Sequence, residues 1–212
     1  MKKVSNRIIT SIILIGLFII LTILVKLGLT EKFDTFVYNI VTVNMNDTLT
    51  SFYKACTFLG STVFMVSLCI ILFIIFIILK RKDIAFIEAI VLIISTIVNN
   101  VVKLIIRRER PNVLRLVTEK SFSFPSGHTM ASVSMYGILI YIISKSKLDK
   151  RLKVLLNTFL SIIPIFVMLS RVYLGAHFTT DVLGASILSI ALLLIEVDII
   201  EKKGYYEKNK NN

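Results

Sequence analysis

Long apolar runs alternate with short polar segments along the whole chain. A helix that crosses a bilayer needs about 20 mostly apolar residues, and several of the runs reach or approach that length. The pattern predicts an all-α polytopic membrane protein, in which a bundle of six transmembrane helices forms a single domain over residues 1–212. The six predicted spans are residues 8–29, 57–79, 84–106, 129–144, 154–169 and 178–197.

The segment between the first two spans, from Thr30 to about Cys56, is too polar to cross a membrane. Apolar side chains still recur within it at helical spacing, which predicts a short helix that lies in the membrane interface. Two roles are open for this helix: a cover over the bundle, or a lateral gate for a lipid tail. Its apolar positions are Phe33, Phe36, Val37, Ile40 and Val41.

Composition supports a membrane protein over a nucleic-acid-binding one. Hydrophobic residues make up 56% of the chain and the mean hydropathy is +0.84. The formal net charge is +12, but the basic residues form short clusters between the apolar runs, as topology signals and phosphate ligands do. We therefore expect a phospholipid bilayer and a membrane lipid substrate as partners, and no nucleic acid.

The same basic residues predict an orientation. If six helices alternate, fifteen of the 25 lysines and arginines lie on one side, including Lys2, Lys3, Lys208 and Lys210. Because the cytoplasmic side is enriched in lysine and arginine, both termini are predicted to be cytoplasmic. Frequent isoleucine, lysine and asparagine indicate an AT-rich bacterial genome, so the predicted location is a bacterial cell membrane.

Three short segments hold most of the unusual polar residues, and the predicted topology places all three at the outer ends of helices. Both histidines of the chain belong to this set. The segments are KLIIRRERP at 103–111, FPSGH at 124–128 and SRVYLGAHFTTD at 170–181.

The cations and the start of the fourth span suit a phosphate group. Lys103, Arg110 and Arg171 bring three positive charges to one region, and the guanidinium fork matches phosphate oxygens. A helix N-terminus at Ser126 and Gly127 offers free backbone N–H groups, and Gly127 lets that backbone approach an oxygen closely. Ser126 adds a hydroxyl donor, although a plain N-cap explains a serine there equally well.

A nucleophile and an acid–base group are also present. His177 and Asp181 are four residues apart, so on a helix they would share a face. A carboxylate on one ring nitrogen fixes the tautomer and leaves the other nitrogen nucleophilic, while His128 can exchange a proton with the leaving and attacking oxygens. A purely structural His–Asp pair would have the same spacing. A zinc site is disfavoured, because the HExxH arrangement is missing and the cations repel a metal.

These segments closely resemble the signature of the type 2 phosphatidic acid phosphatase family, which is KxxxxxxRP, then PSGH, then SRxxxxxHxxxD. Every position is matched, by residues 103–111, 125–128 and 170–181. The resemblance implies a six-helix bundle and a mechanism that needs neither metal nor cofactor. It makes His177 the nucleophile, Asp181 its partner and His128 the acid–base group. It assigns the phosphoryl oxygens to Lys103, Arg110, Ser126, Gly127 and Arg171.

The implied reaction removes the terminal phosphate of a lipid phosphate or diphosphate through a phosphohistidine, on the extracytoplasmic side. Small bacterial family members act on undecaprenyl diphosphate, phosphatidylglycerol phosphate or phosphatidic acid, and the loops do not separate these substrates. A lipid phosphotransferase would carry the same motifs. A non-catalytic transporter or scaffold is the other alternative, but a transporter would place ionisable groups near mid-membrane. The sequence leaves the oligomeric state open.

Several neighbours of the motifs are ambiguous. The arginines beside the motifs are expected to be solvated loop charges, with attraction of an anionic headgroup as the alternative. The loop glutamates are expected to pair with nearby arginines, with recognition of a polar headgroup as the alternative. Asn99 either steadies Lys103 or forms a hydrogen bond between helices. The arginines are Arg107, Arg108 and Arg115, and the glutamates are Glu109 and Glu119.

Overall fold

Eight helices make up a computed structural model of the protein, which describes residues 5–203. No strand occurs within that range. The lysines at positions 2, 3, 208 and 210, which contributed to the predicted orientation, lie outside the described residues. The helices are α1 (Asn6–Lys26), α2 (Glu31–Thr42), α3 (Asp47–Phe58), α4 (Thr62–Ile78), α5 (Lys82–Ile106), α6 (Gly127–Lys145), α7 (Lys150–Tyr173) and α8 (Thr179–Lys202).

The predicted all-α, multi-pass architecture is confirmed. Five helices are long and apolar enough to cross a membrane: α1, α5, α6, α7 and α8. The pair α3 and α4 would make a sixth crossing if it is taken as one span, although the two helices are bent by 44° relative to each other.

The second predicted span, residues 57–79, does not correspond to a single helix. Residues 57 and 58 belong to the end of α3, and α4 begins only at Thr62. The hydroxyl of Ser61 caps α4 by accepting a hydrogen bond from the backbone N–H of Phe64 at 3.2 Å. Hydropathy cannot locate this break, because the residues on both sides of it are apolar.

The predicted fourth and fifth spans were too short. Helix α7 begins at Lys150, four residues before the predicted start, because the side chain of Asp149 accepts a hydrogen bond from the N–H of Arg151 at 2.8 Å. Such a cap starts a helix whether the following residues are apolar or charged. The remaining helix ends differ from the predicted ones by a few residues.

The segment from residue 30 to residue 56 forms two helices where one was predicted. The predicted apolar positions fall on α2, and Asp34 is the buried residue of this helix. Helix α3 was missed because its first turns are polar; Asn46 caps it by accepting a hydrogen bond from the N–H of Leu49 at 2.9 Å.

The two ends of the bundle differ in character. At one end, Glu201 of α8 pairs with Arg7 of α1 at 2.5 Å and with Lys145 of α6 at 2.9 Å. The beginning of α1 and the ends of α6 and α8 therefore lie together. The opposite end gathers the end of α5, the start of α6, the end of α7 and the start of α8, which are the places where the three sequence motifs lie.

Candidate active site

Backbone hydrogen bonds join the three motif segments at that opposite end. The N–H of Ser126 donates to the carbonyl of Asp181 at 3.1 Å, and the N–H of Ser123 donates to the carbonyl of Arg108 at 2.8 Å. The first motif is thus attached to the loop before α6, and the start of α6 is attached to α8. Residues more than fifty positions apart in the sequence become neighbours.

Gly175 allows the turn between α7 and α8 to fit against the loop that follows the first motif. Its φ is +66°, in the left-handed region that favours glycine. A β-carbon at this position would lie 2.5 Å from the carbonyl oxygen of Leu114. The N–H of Leu116 also donates to the carbonyl of Leu174 at 3.0 Å. The turn is therefore held at Leu174 and Gly175, directly before Ala176 and His177.

The His177–Asp181 pair forms, but the two residues do not share a helix face as the spacing suggested. Helix α8 begins at Thr179, so His177 lies in the turn before it. The Nδ1 atom of His177 is 3.3 Å from Oδ2 of Asp181. Asp181 reaches back to accept a hydrogen bond from the N–H of Phe178 at 2.9 Å, as the third residue of a capped helix does. Helix capping, and not helical periodicity, therefore creates the pair.

Asp181 is fully buried and accepts hydrogen bonds with both carboxylate oxygens. The hydroxyl of Ser123 donates to Oδ2, and Nη1 of Arg108 donates to Oδ1 at 2.7 Å. Because an ionised carboxylate can only accept, Nδ1 of His177 carries the proton. The Nε2 atom then presents its lone pair.

That Nε2 atom faces Arg110, whose Nη1 lies 3.3 Å away. Burial is the main cause that lowers the pKa of His177 to about 4, although the hydrogen bond with Asp181 acts in the opposite direction. The imidazole is therefore neutral at neutral pH. A neutral imidazole with a carboxylate on Nδ1 and a cation beside Nε2 is suited to attack a phosphorus atom whose oxygens that cation binds.

One cavity of about 270 Å³ brings five of the predicted site residues together. It continues between α4, α5 and α6, where Met65, Leu92 and Met130 form part of its wall. The cavity thus has a cationic end and a partly apolar end. The five site residues are Lys103, Arg110, Gly127, His128 and His177.

The two cations in this cavity are held by backbone carbonyls. Lys103 is buried and its Nζ donates to the carbonyl of Phe122. Arg110 donates from Nη1 to the carbonyl of Ala176 and from Nε to the carbonyl of Ser121, both at 2.7 Å. Burial is the main cause that lowers the pKa of Arg110, but a guanidinium keeps its charge in proteins. Both positive charges are therefore fixed in place.

Gly127 lines the cavity, whereas Ser126 does not. A β-carbon on Gly127 would lie 3.3 Å from Oδ1 of Asn99, so the start of α6 packs closely against α5. The Nδ2 atom of Asn99 donates to the carbonyl of Pro125, before α6, and to Sδ of Met130, within α6, both at 3.2 Å. The bond to Met130 is the interhelical one predicted as one of the two roles of Asn99. The Ser126 hydroxyl is buried and accepts hydrogen bonds from Thr129, the capping role that was the alternative for this serine. The cavity wall is formed instead by Gly127 and His128.

Arg171 lies behind the cavity and is 1% exposed. Its Nη2 donates to Glu119 and its Nη1 donates to Oγ1 of Thr57 at 2.7 Å, while its Nε has no hydrogen-bond partner within residues 5–203. Burial raises the pKa of Glu119, but Arg171, His128 and Arg110 lower it by more, so the carboxylate is ionised. Glu119 thus pairs with an arginine, but with Arg171 of α7 and not with one of the arginines near it in the sequence, as was predicted. Nδ1 of His128 lies 3.9 Å from the same carboxylate.

Sequence reasoning missed Ser123 and misjudged Arg108. Ser123 is fully buried and contacts both Asp181 and His177, the latter at 3.4 Å from Nδ1. Nothing in the sequence distinguishes it from the other serines nearby. Arg108 was expected to be solvated like Arg107, but its side chain is 12% exposed and is paired with two buried carboxylates. Which of two adjacent arginines turns inward depends on the direction in which the chain leaves α5.

Several known proteins are similar to this chain in sequence or in fold. The sequence profile described as the PAP2 superfamily matches residues 84–205. Phosphatidylglycerophosphatase B of Bacillus subtilis is 40% identical over 116 residues, which is 54% of this chain. That match spans 54% of the relative, about half of its length.

Two solved structures show the fold. A crystal structure of a transmembrane PAP2-type phosphatidylglycerolphosphate phosphatase from Bacillus subtilis superimposes with a TM-score of 0.85 and 30% identity, over 91% of this chain and 96% of that one. LpxE of Aquifex aeolicus gives a TM-score of 0.62 at 22% identity, over 76% of this chain and 93% of that one, and therefore shows the fold alone. The sequence match, the superposition and the three assembled motifs agree that the chain belongs to the PAP2 superfamily.

Proposed function

We propose that this protein is a membrane lipid phosphatase that removes a terminal phosphate through a phosphohistidine on His177. One observation carries the proposal: His177 is buried with Nδ1 on a carboxylate, and its Nε2 faces Arg110 in a cavity that also contains Lys103 and His128. A solely structural His–Asp pair would not require fixed cations and a second histidine at the free nitrogen.

In the first step, Nε2 of His177 attacks the phosphorus atom and the bond from phosphorus to the lipid oxygen breaks. The leaving oxygen takes a proton from His128, and Asp181 stabilises the positive charge that develops on the His177 ring. The products of this step are a dephosphorylated lipid and a phosphohistidine.

In the second step, water attacks the same phosphorus atom and gives a proton to His128. The bond from phosphorus to Nε2 breaks, inorganic phosphate leaves, and both histidines return to their starting states. His128 therefore acts once as an acid and once as a base.

The charge that spreads over the phosphoryl oxygens is neutralised by the protein's own cations. Lys103 and Arg110 line the cavity, and the free Nε of Arg171 offers a further donor behind it. The backbone N–H of Gly127, at the start of α6, adds an anion site. We propose that the reaction needs no metal ion, which the assay with EDTA described below tests.

In the membrane we place six crossings, with α3 and α4 forming one bent crossing and α2 lying in the interface. Both termini are then cytoplasmic and the cavity opens at the outer face of a bacterial cell membrane. The cluster of Arg7, Lys145 and Lys202 at the end opposite the site supports this orientation.

For the substrate, we propose phosphatidylglycerol phosphate. The curated Bacillus subtilis relative and the Bacillus subtilis crystal structure are both named for that lipid. The cationic end of the cavity suits a terminal phosphate, and its wall at Met65, Leu92 and Met130 suits apolar lipid. Undecaprenyl diphosphate and phosphatidic acid are the comparison substrates.

The experiment that tests the activity is phosphate release by the purified full-length protein in detergent, with EDTA present, from each of the three lipids. We expect release from wild type and none from His177→Ala, and a phosphorylated peptide that contains His177 after rapid quenching. Release that survives the substitution would exclude His177 as the nucleophile. Transfer to an added alcohol in place of water would indicate a phosphotransferase, and inactivity of folded protein on all three lipids would indicate a non-catalytic role.

The orientation is tested by labelling single cysteines in whole cells. In a variant without Cys56 and Cys69, a cysteine at the exposed position 120 near the site should react with a membrane-impermeant maleimide. A cysteine at the exposed position 147, between α6 and α7, should react only after the cells are permeabilised. The reverse pattern would place the site on the cytoplasmic side.

A further inference from the structure

A buried carboxylate on helix α2 contacts the start of α8. Asp34 is 2% exposed. Its Oδ1 accepts a hydrogen bond from the backbone N–H of Thr180 at 2.8 Å, and its Oδ2 accepts one from the Thr180 hydroxyl at 2.9 Å. The hydroxyl of Thr30 also contacts Oδ2, at 3.2 Å. A side chain on α2 therefore accepts hydrogen bonds from the first turn of α8, the helix that carries Asp181.

Arg108 joins that carboxylate to the catalytic one. Its Nη2 donates to Oδ2 of Asp34 at 2.8 Å, and its Nη1 donates to Oδ1 of Asp181 at 2.7 Å. Nη1 also contacts Oγ1 of Thr180 at 2.8 Å, and the guanidinium carbon lies 3.9 Å from the centre of the Phe178 ring. The guanidinium is thus fixed on several sides between two buried acids.

The charges explain why this arrangement needs an arginine. The carboxylates of Asp34, on α2, and Asp181, on α8, both lie at the first turn of α8, where the helix N-terminus stabilises negative charge only partly. Two buried carboxylates beside one histidine would repel each other, and a buried acid without a cation is costly. A guanidinium can bind two carboxylates with separate nitrogens, whereas a lysine offers one point charge.

We propose that Asp34 and Arg108 are positioning residues for the nucleophile, so that α2 is a functional part of the active site. Arg108 holds Oδ1 of Asp181 while Oδ2 receives the proton on Nδ1 of His177, and Asp34 fixes the direction of Arg108. Neither residue touches the reacting phosphorus. Their effect passes through Asp181 to the tautomer and the ring orientation of His177.

The positioning role of Asp34 and Arg108 rests on the proposed function, in which His177 is the nucleophile. The positioning itself can be tested without any substrate. The chain has two histidines, His128 and His177. Protein labelled with ¹⁵N-histidine in detergent micelles should therefore give two sets of ring-nitrogen signals, which a His128→Asn variant assigns. The nitrogen shifts report which ring atom carries the proton.

The variants are Arg108→Gln, Arg108→Lys and Asp34→Asn. The matched control is Arg107→Gln, because Arg107 is exposed and its Nε contacts only the carbonyl of Leu104 among the described residues. Wild type and the control should show His177 protonated on Nδ1 alone. Arg108→Gln should show a mixture of both tautomers of His177. Arg108→Lys and Asp34→Asn should show a smaller fraction of the Nε2-protonated tautomer than Arg108→Gln.

Kinetics give the second measurement. Arg108→Gln should lower kcat by about 10- to 100-fold, the usual effect of removing a partner that orients a catalytic ligand, while KM changes by less than about threefold. Arg108→Lys should recover part of the loss. In the double variant Asp34→Asn/Arg108→Gln, kcat should be no lower than in Arg108→Gln alone, because the action of Asp34 passes through Arg108.

A wild-type His177 signal and wild-type kcat in Arg108→Gln would overturn the proposal. So would a fall in kcat for Asp34→Asn that is undiminished in the Arg108→Gln background. If Arg108→Gln does not fold, Asp34→Asn decides, since an unchanged tautomer there would also overturn it. If wild type lacks phosphatase activity, the nitrogen signals still test the positioning, so the two proposals fail separately.

Discussion

The Nδ1 atom of His177 lies 3.3 Å from Oδ2 of Asp181, although His177 is outside the helix that carries Asp181. The pair therefore depends on the turn that precedes α8 and on the groups that hold Asp181 in place. Those groups come from the two ends of the loop between α5 and α6, where Arg108 and Ser123 lie, and from the turn that begins α8.

Replacing Ser123 with alanine should lower kcat by about 10- to 100-fold, because a hydrogen bond to a charged group contributes about 1.5–3 kcal/mol. The Ser123 hydroxyl donates to the carboxylate of Asp181 and lies 3.4 Å from Nδ1 of His177. Phosphate release under steady-state conditions measures the effect. Ser121→Ala is the control, since Ser121 contacts Arg110 but not Asp181. Equal losses in both variants would show that the hydroxyl of Ser123 has no particular role.

Replacing Arg110 with glutamine should lower kcat by about 10²–10³-fold, the size of effect seen when one donor to a developing negative charge is removed. Arg110 is the cation closest to Nε2 of His177, at 3.3 Å. Arg110→Lys should retain less than full activity, because an ammonium cannot bind two oxygens in one plane. The same assay measures both variants, and activity near wild type in Arg110→Gln would contradict a phosphate-binding role.

Replacing Gly175 with alanine should lower the free energy of unfolding by about 1–3 kcal/mol, because its φ is +66° and the new β-carbon would lie 2.5 Å from the Leu114 carbonyl. Activity should also fall, since the turn carries His177. Gly16→Ala is the matched control: no atom lies within 4 Å of its new β-carbon, and alanine favours a helix interior by about 1 kcal/mol. In thermal unfolding measurements in detergent, Gly175→Ala should have a lower Tm than wild type, and Gly16→Ala should not.

The buried, neutral His177 should make stability depend on pH. Burial lowers its pKa from 6.5 to about 4, so the unfolded chain binds a proton at a higher pH than the folded one. The contribution is complete above pH 6.5 and is lost as the pH falls towards 4. In detergent, Tm of wild type should therefore fall more steeply between pH 6.5 and 4 than Tm of His177→Gln. Parallel curves would contradict the lowered pKa.

Several features of the protein could be predicted from its sequence because they depend on local pattern. The length of the apolar runs is sufficient to predict helices that cross a membrane, and the three spaced motifs are sufficient to predict the family. The spacing also selected Lys103, Arg110, His128 and His177, which do line one cavity. A motif keeps its residues at constant separation along the chain, so its chemistry can be predicted without knowledge of the fold.

Other features depend on contacts between segments that are distant in sequence. The break between α3 and α4 lies inside apolar sequence, and the capping of α8, not its periodicity, brings Asp181 to His177.

The all-helical membrane class and the motif residues follow from the sequence alone, because apolar length and fixed spacing act along the chain. The packing of the helices determines that Arg108 turns inward to two buried carboxylates while Arg107 is exposed, and that Ser123 and Asp34 support the His177–Asp181 pair. Asp34 and Arg108 are 74 positions apart, and Arg108 and Asp181 are 73 apart. Burial of a charge is tolerated only where packing supplies its partner, and that partner is selected by the arrangement of the helices.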